Sequence, residues 1–343
     1  MPVNQTLSAF SDTAFQTAFV VYLLALVLSL IFYVKMQGVI DARRLREHIA
    51  EPERVAVRTG ASTTDLTDSP DEDTAAADTP LTDEHFAAKE SSAHKFGGMT
   101  QALVWVGAAI HLMSVVLRGL ATYRFPLGNM YEYISMICVL AMIAAAIVIQ
   151  HREWRSVWPW LLVPILVLLF FAGTSLYSDS APVVPALQSY WLPVHVSTVS
   201  LGAAIGIVSG IASLLYLLRM WQPLGKERGF FGAVAKPLPN AKKLDALAYK
   251  SAIITLPVLG LGIVLGAIWA EVSWGRFWGW DPKETASFIS WVLYAAYLHA
   301  RATAGWRDHK AAWINILALA TIIFNLFFIN LVVSGLHSYA GLN

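Results

Sequence analysis

The sequence predicts an all-α, polytopic integral membrane protein, and three observations lead to this fold class. The chain of 343 residues is 57% hydrophobic and only 14% charged, whereas about 25% of the residues of a soluble domain are charged. Apolar runs of roughly 20 residues, the length that spans a bilayer, recur along the chain. Lys and Arg residues concentrate in alternate connections between these runs, as they do in membrane proteins. The net charge of +1 gives no reason to expect a nucleic acid as a partner. Because of the high apolar content, the expected surroundings are the lipid bilayer.

About eight apolar runs are predicted to form transmembrane helices. If the first connection is cytoplasmic, most of the 24 Lys and Arg residues fall on the cytoplasmic side, so both termini are expected to be extracytoplasmic. The first run lacks a preceding basic region and is therefore expected to be a retained helix, not a cleaved signal peptide. The eight runs are residues 14–36, 99–118, 131–150, 157–177, 194–219, 250–270, 285–300 and 313–335.

The composition divides the chain into three parts. Residues 1–40 carry the first apolar run. Residues 41–95 are rich in Asp, Glu, Thr, Ala and Pro and have few large apolar residues, so they are predicted to form a disordered, acidic cytoplasmic linker. Residues 96–343 contain the other seven runs and are expected to be the functional body. The single cysteine, Cys138, lies in an apolar run, so this chain alone can build neither a disulfide framework nor a thiolate metal site.

The most unusual connection is residues 274–284, WGRFWGWDPKE, called the aromatic loop below, on the expected extracytoplasmic face. Its rings could stack on the faces of a large planar ligand, and its glycines would allow close approach of the backbone. Arg276 and Lys283 could bind carboxylates at the rim of such a ligand. The alternative is an aromatic belt, because Trp and Tyr collect at membrane interfaces without any ligand. Pro282 is expected in the first turn of the seventh helix.

Two histidines are expected on the same face as this loop. His195 lies at the outer start of the fifth predicted helix, and His337 lies at the outer end of the eighth. Neutral imidazole is a good axial ligand for haem iron, so these two side chains could hold a haem from both sides. Each histidine could instead be a solvated helix end.

Two further histidines lie inside predicted helices. His299 is roughly 22 Å below the start of its helix at about 1.5 Å per residue, so it could bind a metal or a haem that enters from the inside, or extend to the aqueous surface. His111 is interpreted as a packed, hydrogen-bonded core residue more readily than as a ligand or a proton relay. Asn129 is predicted to be a helix N-cap with Glu132 in the first turn, although Glu132 and Arg124 could also line the outer site.

The aromatic loop resembles the tryptophan-rich WWD signature of haem-handling proteins in cytochrome c biogenesis. Within that group, residues 96–343 resemble the CcsA/ResC-type subunit of the System II cytochrome c synthase. The likeness is supported by residues 126–132, by the histidine before the fifth helix and by Gly335-Leu336-His337. The resemblance implies that haem b, as a transported substrate, is bound by Trp274, Arg276, Trp278, Trp280, Asp281, Lys283 and Glu284.

The resemblance also implies two haem sites. His195 and His337 would ligate the iron at the extracytoplasmic face, and His299 would ligate the iron of an inner site whose second ligand comes from a ResB-type partner subunit. Haem would enter at the inner site, move to the outer site and expose its vinyl groups to the thiols of an apocytochrome c CxxCH segment, which a thiol-reducing partner protein keeps reduced. The chain would then be one subunit of a haem-attaching, lyase-type complex in the plasma membrane, acting by positioning and by the redox state of the iron, and not by acid–base chemistry.

Other functions stay open on the sequence. A haem exporter would need the same aromatic loop and histidines, but it would pass haem to a chaperone without attaching it. A b-type electron carrier would keep haem between facing histidines inside the membrane, and its candidates, His111 and His299, match poorly in depth. A structural assembly factor would use the aromatic loop only as a belt.

Overall fold

The computed structural model describes residues 2–59, 83–183 and 185–337, and within these ranges the chain is all-α, as predicted. Two short 3-10 segments, Arg152–Val157 and Pro185–Gln188, lie between helices, and a π-helical turn, Asn325–Ile329, extends the last one. The α-helices of the described ranges are α1 (Gln5–Thr59), α2 (Asp83–Thr122), α3 (Met130–Val148), α4 (Trp158–Ser175), α5 (Trp191–Trp221), α6 (Gly229–Ala235), α7 (Ala241–Trp274), α8 (Pro282–Ala302) and α9 (His309–Phe324).

Seven helical segments of the described chain are long and apolar enough to cross a bilayer, so the protein is a multi-pass membrane protein, as predicted. The predicted run 285–300 forms α8, which begins at Pro282 as expected. This helix is not apolar enough to count among the seven, because Ser, Thr, His and Arg side chains are mixed into it. The seven spans are Gln5–Glu47, Asp83–Thr122, Met130–Val148, Arg152–Ser175, Trp191–Trp221, Ala241–Trp274 and His309–Ile329.

Helix, and not disorder, occupies both ends of the predicted linker. α1 and α2 extend into it from either side, so the prediction of disorder is wrong over those parts of 41–95, while residues 60–82 lie outside the described residues. Opposite charges and an aromatic ring join the two helices there. Arg43 pairs with Glu90 at 3.3 Å, and its guanidinium carbon lies 5.8 Å from the centre of the Phe86 ring. These contacts replace the apolar core that the composition of the segment lacks.

α5 packs against α3, α7 and α9, and its contact with α7 depends on small residues. A Cβ atom at Gly202 of α5 would lie 2.9 Å from the backbone nitrogen of Leu259, and one at Gly262 of α7 would lie 3.0 Å from that of Val199. Glycines at such positions let membrane helices approach closely. The two helices run antiparallel, so the start of α5 lies beside the end of α7, where the aromatic loop begins.

Candidate functional site

A cavity of about 140 Å³ lies where the starts of α3, α5 and α8 meet the end of α7. His195 and His337 both line it, together with Trp278, Lys283 and Glu284. The structure therefore brings together the two histidines that the sequence suggested as a pair, and it adds part of the aromatic loop to the same wall. The rest of the wall is mostly apolar and includes Leu127, Met130, Leu187, Leu192, Val196, Val199, Ile263, Trp269 and Phe277.

His195 is held from α7 by one hydrogen bond and one ring contact. Its Nδ1 lies 2.8 Å from the carbonyl oxygen of Gly262. A carbonyl can only accept, so Nδ1 carries the proton and Nε2 keeps its lone pair. The imidazole stacks on Trp269 with ring centres 5.9 Å apart and an angle of 13° between the planes. A Cβ atom at Gly266 would lie 2.6 Å from Cε1 of His195, so glycine is what leaves room for the ring.

His337 is held in the same way by a carboxylate. Its Nδ1 lies 2.8 Å from Oδ1 of Asp281, so Nδ1 again carries the proton and Nε2 keeps its lone pair. The ring also packs edge to face on Trp274, with centres 4.8 Å apart. Burial lowers the pKa of His337 although Asp281 acts to raise it, and the imidazole is therefore neutral at pH 7. A neutral imidazole whose other nitrogen is hydrogen-bonded is the form that ligates metals.

Asp281 joins three parts of the site. It is the N-cap of α8, where Oδ1 accepts from the backbone nitrogen of Lys283 at 3.2 Å. Its Oδ2 accepts from the backbone nitrogen of Leu336 at 2.9 Å, and its Oδ1 also accepts from His337. Burial acts to raise the pKa of Asp281, but the hydrogen bonds from His337 and Leu336 outweigh it and lower the pKa to about 2. The carboxylate is therefore ionised and fixes the segment that carries His337.

Trp269 lies in contact with both imidazoles and was missed by the sequence reasoning. Its ring centre is 5.9 Å from that of His195 and 5.6 Å from that of His337. Its side chain is buried, with 2% of its surface exposed. The residue belongs to the apolar run of α7 and not to the aromatic loop, so its sequence context marks it only as an interfacial tryptophan. Its position completes the aromatic wall between the two histidines.

Charged residues near the two ends of the aromatic loop pair with each other. Arg276 donates to Oε1 of Glu284 at 3.0 Å. Oε2 of Glu284 accepts from the backbone nitrogens of Gly279 at 2.9 Å and Asp281 at 3.1 Å. With Asp281 this makes a capping box at the start of α8. The pair of Arg276 and Glu284 therefore stabilises the conformation of the loop. Arg276 does not line the cavity.

The three tryptophans of the loop occupy different places. Trp278 lines the cavity, and Trp274 packs behind His337. Trp280 is 66% exposed and has a positive φ of 57°, which is uncommon for a large residue. Its ring packs edge to face on Trp278 with centres 5.6 Å apart and on Phe288 of α8 with centres 6.4 Å apart.

Lys283 is a cation on the cavity wall that no carboxylate within the described ranges pairs with at salt-bridge distance. Its Nζ donates to Oδ1 of Asn330 and lies 5.3 Å from the centre of the Tyr133 ring. Asn330 uses its Nδ2 to bond the backbone oxygens of Asn325 at 3.1 Å and Leu326 at 2.8 Å, at the π-helical turn. This fixes Oδ1 toward the lysine. The sequence reasoning missed Asn330, because nothing in the sequence marks a π-helical turn, a feature frequent at functional sites. It also missed Tyr133, which lies in the apolar run of α3.

Arg124 and Glu132 do not line the outer cavity. Asn129 is the N-cap of α3, as predicted, and accepts from the backbone nitrogen of Glu132 at 2.9 Å. The Glu132 side chain is fully buried and bonds Arg124 at 2.8 Å and Arg118 at 3.1 Å. Arg118 also lies 3.5 Å from Asp12, so the two arginines are paired with two carboxylates and hold the loop before α3.

The two inner histidines have different surroundings. His111 is buried, with Nε2 2.9 Å from Oγ of Ser135, which confirms the interpretation as a packed, hydrogen-bonded residue. His299 is exposed in the last turn of α8 and is absent from the wall of the outer cavity. In the described part of the chain, no group of three or more His, Cys, Asp and Glu residues could hold a bare metal ion.

Comparisons with known proteins agree on one family. The model of the family described as Cytochrome C assembly protein matches residues 127–337. The cytochrome c biogenesis protein CcsA of Parasynechococcus marenigrum (strain WH8102) is 32% identical over 276 residues, which cover 71% of this chain and 86% of that protein. CcsA of Guillardia theta is 34% identical over 235 residues, or 64% of this chain and 78% of that protein.

A solved structure shares the fold. It is a cytochrome c haem lyase, CcmF, with a TM-score of 0.52 at 15% identity. The match covers 90% of this chain and 46% of the lyase chain. At this identity the likeness concerns the fold alone.

Proposed function

The chain belongs to the Cytochrome C assembly protein family and takes part in cytochrome c maturation, and we propose that it holds haem at the outer cavity and presents it for attachment to apocytochrome c. One observation carries the proposal: His195 and His337 line the same cavity, and each has its Nδ1 hydrogen-bonded and its Nε2 available. Nε2 of neutral imidazole is an axial ligand for haem iron. Haem b would supply the iron and the vinyl groups, and this chain would bind haem and orient it.

The aromatic residues would hold the porphyrin plane. Trp278, Trp269 and Phe277 line the cavity, and offset or edge contacts between such rings and a planar ligand are favourable. The volume of about 140 Å³ is below the roughly 300–1,000 Å³ of a pocket for a drug-sized ligand. Haem would therefore displace some of these rings or remain half outside the cavity, and Phe277 is already 61% exposed. A half-exposed haem keeps one edge accessible to a protein substrate.

Among Lys283, Arg276 and Arg124, Lys283 is the best candidate to pair with the carboxylates of haem. Arg276 is already paired with Glu284 at 3.0 Å, and Arg124 with Glu132 at 2.8 Å. Lys283 lines the cavity, and among the described residues its side-chain hydrogen bond goes to a neutral amide. An ammonium group in this setting gains most from an incoming carboxylate.

Replacing Lys283 by methionine is expected to weaken haem binding by about tenfold, the value of a charge-assisted hydrogen bond. The dimethyl ester of haem lacks the carboxylate charges, so its affinity should be the same for wild type and variant. Titration of the purified apoprotein with both ligands measures this. Arg276→Met is the matched control and should affect both ligands alike, through the fold of the loop. If Lys283→Met weakened the binding of haem and of its ester equally, Lys283 would not be the partner of the haem carboxylates.

The pH dependence of ligation is expected to be displaced toward acid. Burial lowers the pKa of His337 from its ordinary value of 6.5, and only the neutral imidazole binds iron. Ligation should therefore survive as the pH falls through 6.5 and be lost only at lower pH, where the ring takes up a proton. Absorption spectra of the haem complex from about pH 8 to about pH 4 test this. Loss of the low-spin spectrum at or above pH 6.5 would contradict it.

The route of haem is the finer part of the proposal. His299 would receive haem from the cytoplasmic side, with a second ligand from a ResB-type subunit, and its exposure on α8 supports a ligand shared with another chain. Both termini and the aromatic loop would then be extracytoplasmic, in the plasma membrane. The chain, as part of a haem-attaching complex, would meet apocytochrome c and a thiol-reducing protein there.

A haem exporter is the second candidate, because the same cavity would serve export. Co-expression of the chain with a ResB-type subunit and a reporter apocytochrome separates the two functions. Covalent attachment that requires this chain favours the synthase, whereas haem release without attachment favours the exporter. A b-type carrier is less well supported, because His111 is packed in the core and bonded to Ser135 at 2.9 Å.

A further inference from the structure

A second cavity, of about 510 Å³, lies at the opposite end of the bundle from the aromatic loop. α3 runs from the outer cavity, which Asn129 lines, to Val148, and the 3-10 turn Arg152–Val157 follows. The second cavity lies between this turn and the first part of α2. It is lined by Ala87, Glu90, Ser91, His94, Lys95, Arg152 and Arg155.

Three cations of this cavity lack acidic partners in the described chain. The salt bridges of the described chain include none of Lys95, Arg152 and Arg155. Other cations at the same end of the bundle are paired with acids. These pairs are Arg44 with Glu227 at 2.9 Å, Lys236 with Asp41 at 2.6 Å, Arg43 with Glu90 at 3.3 Å, Arg46 with Asp83 and Lys243 with Glu153. The acid on the cavity wall, Glu90, is thus already engaged by Arg43. The cavity therefore carries a net positive charge.

The position of Arg155 is built into the fold. A Cβ atom at Gly97 would lie 2.9 Å from Cδ of Arg155, so this mid-helix glycine of α2 makes room for the arginine stem. Nη1 of Arg155 donates to the backbone oxygen of His94 at 3.3 Å. Nε of Arg155 and Nδ1 of His94 are buried and have no hydrogen-bond partner among the residues that the structure describes. A buried N–H donor without a partner costs free energy, and an acceptor bound beside the guanidinium of Arg155 would remove that cost for its Nε.

We propose that this cavity binds the phosphate group of an anionic membrane lipid. Arginine matches phosphate by paired N–H donors, and basic pockets at the ends of membrane helices bind lipid head groups. The span Arg152–Ser175 begins at the cavity, so the cations lie where a helix leaves the bilayer, at the level of the head groups. The inference is independent of haem binding.

Native mass spectrometry of the purified full chain, with phosphatidylglycerol and phosphatidylcholine as probes, tests the site. Wild type is expected to retain phosphatidylglycerol more tightly than the zwitterionic lipid. Arg152→Gln and Arg155→Gln should each lower that affinity by about fivefold, the effect of one cation near a membrane surface. Gly97→Ala, which keeps every charge but crowds the arginine stem, should also lower it.

Lys89→Gln is the matched control, because Lys89 is exposed on α2 and does not line the cavity. It should leave lipid binding unchanged. Equal retention of both lipids by wild type, or equal affinity of Lys89→Gln and the Arg152→Gln/Arg155→Gln double variant, each in monodisperse protein, would overturn the proposal. If inorganic phosphate competes for the cavity and neither lipid is retained, the cavity recognises phosphate, but its ligand is a free anion and not a lipid head group.

Discussion

Replacing His195 or His337 by alanine is expected to lower the yield of mature cytochrome c by more than about 100-fold, because loss of a residue that only hydrogen-bonds a metal ligand already costs up to about 100-fold. Each imidazole would supply one axial ligand, and no other histidine of the described chain lines the cavity to replace it. The measurement is the amount of covalently attached haem on a reporter cytochrome, in cells that lack their own maturation system and also express a ResB-type protein.

The control for these variants is His309→Ala, because His309 is exposed at the start of α9, at the other end of that helix from the cavity. Its maturation yield should equal that of wild type. Near-normal yields for His195→Ala and His337→Ala, with all proteins at equal abundance in the membrane, would mean that the two imidazoles are not ligands.

Asp281→Ala is expected to have the second largest effect, a loss of about 10–100-fold in haem affinity. The carboxylate holds Nδ1 of His337 at 2.8 Å and the backbone nitrogen of Leu336 at 2.9 Å. Without it the ring can rotate, and the segment that carries it is released. The variant also loses the N-cap of α8, at about 1 kcal/mol of stability. Haem titration and thermal unfolding measure the two effects separately.

Asp281→Asn separates positioning from capping. Asparagine is as good an N-cap as aspartate, so stability should return to near the wild-type value. Its amide has one acceptor oxygen and no charge, so it cannot hold both His337 and Leu336, and haem affinity should stay low. Asp179→Asn, an exposed acid between α4 and α5, is the control. Wild-type haem affinity in Asp281→Ala would show that Asp281 acts only as a cap.

The sequence predicts local features well because they depend on neighbouring residues. Apolar runs of spanning length mark the membrane helices, Pro282 marks the start of α8, and Asn129 marks the start of α3. The exception is the linker: composition indicates disorder, but charge pairs between α1 and α2 such as Arg43 with Glu90 form only when the two helices meet. Tertiary contacts of this kind are not visible in a composition.

The site is predicted only in part, for the same reason. Residue type and resemblance point to His195 and His337, but partners distant in sequence decide what each polar residue does. Arg276 looks like an anion ligand in the sequence and is paired with Glu284 in the fold. Trp269 and Asn330 have ordinary sequence contexts and acquire their roles from helix packing and from the π-helical turn.

The absorption and electron paramagnetic resonance spectra of the purified chain with bound haem test the central claim most directly. Six-coordinate, low-spin iron with two imidazole ligands is predicted for wild type. His195→Ala and His337→Ala should each lose that signature, and added imidazole should restore it by occupying the vacated position. Absence of haem from every preparation that includes the ResB-type partner, or an unchanged low-spin spectrum in both variants, would contradict the account and leave the aromatic loop as a membrane-interface belt.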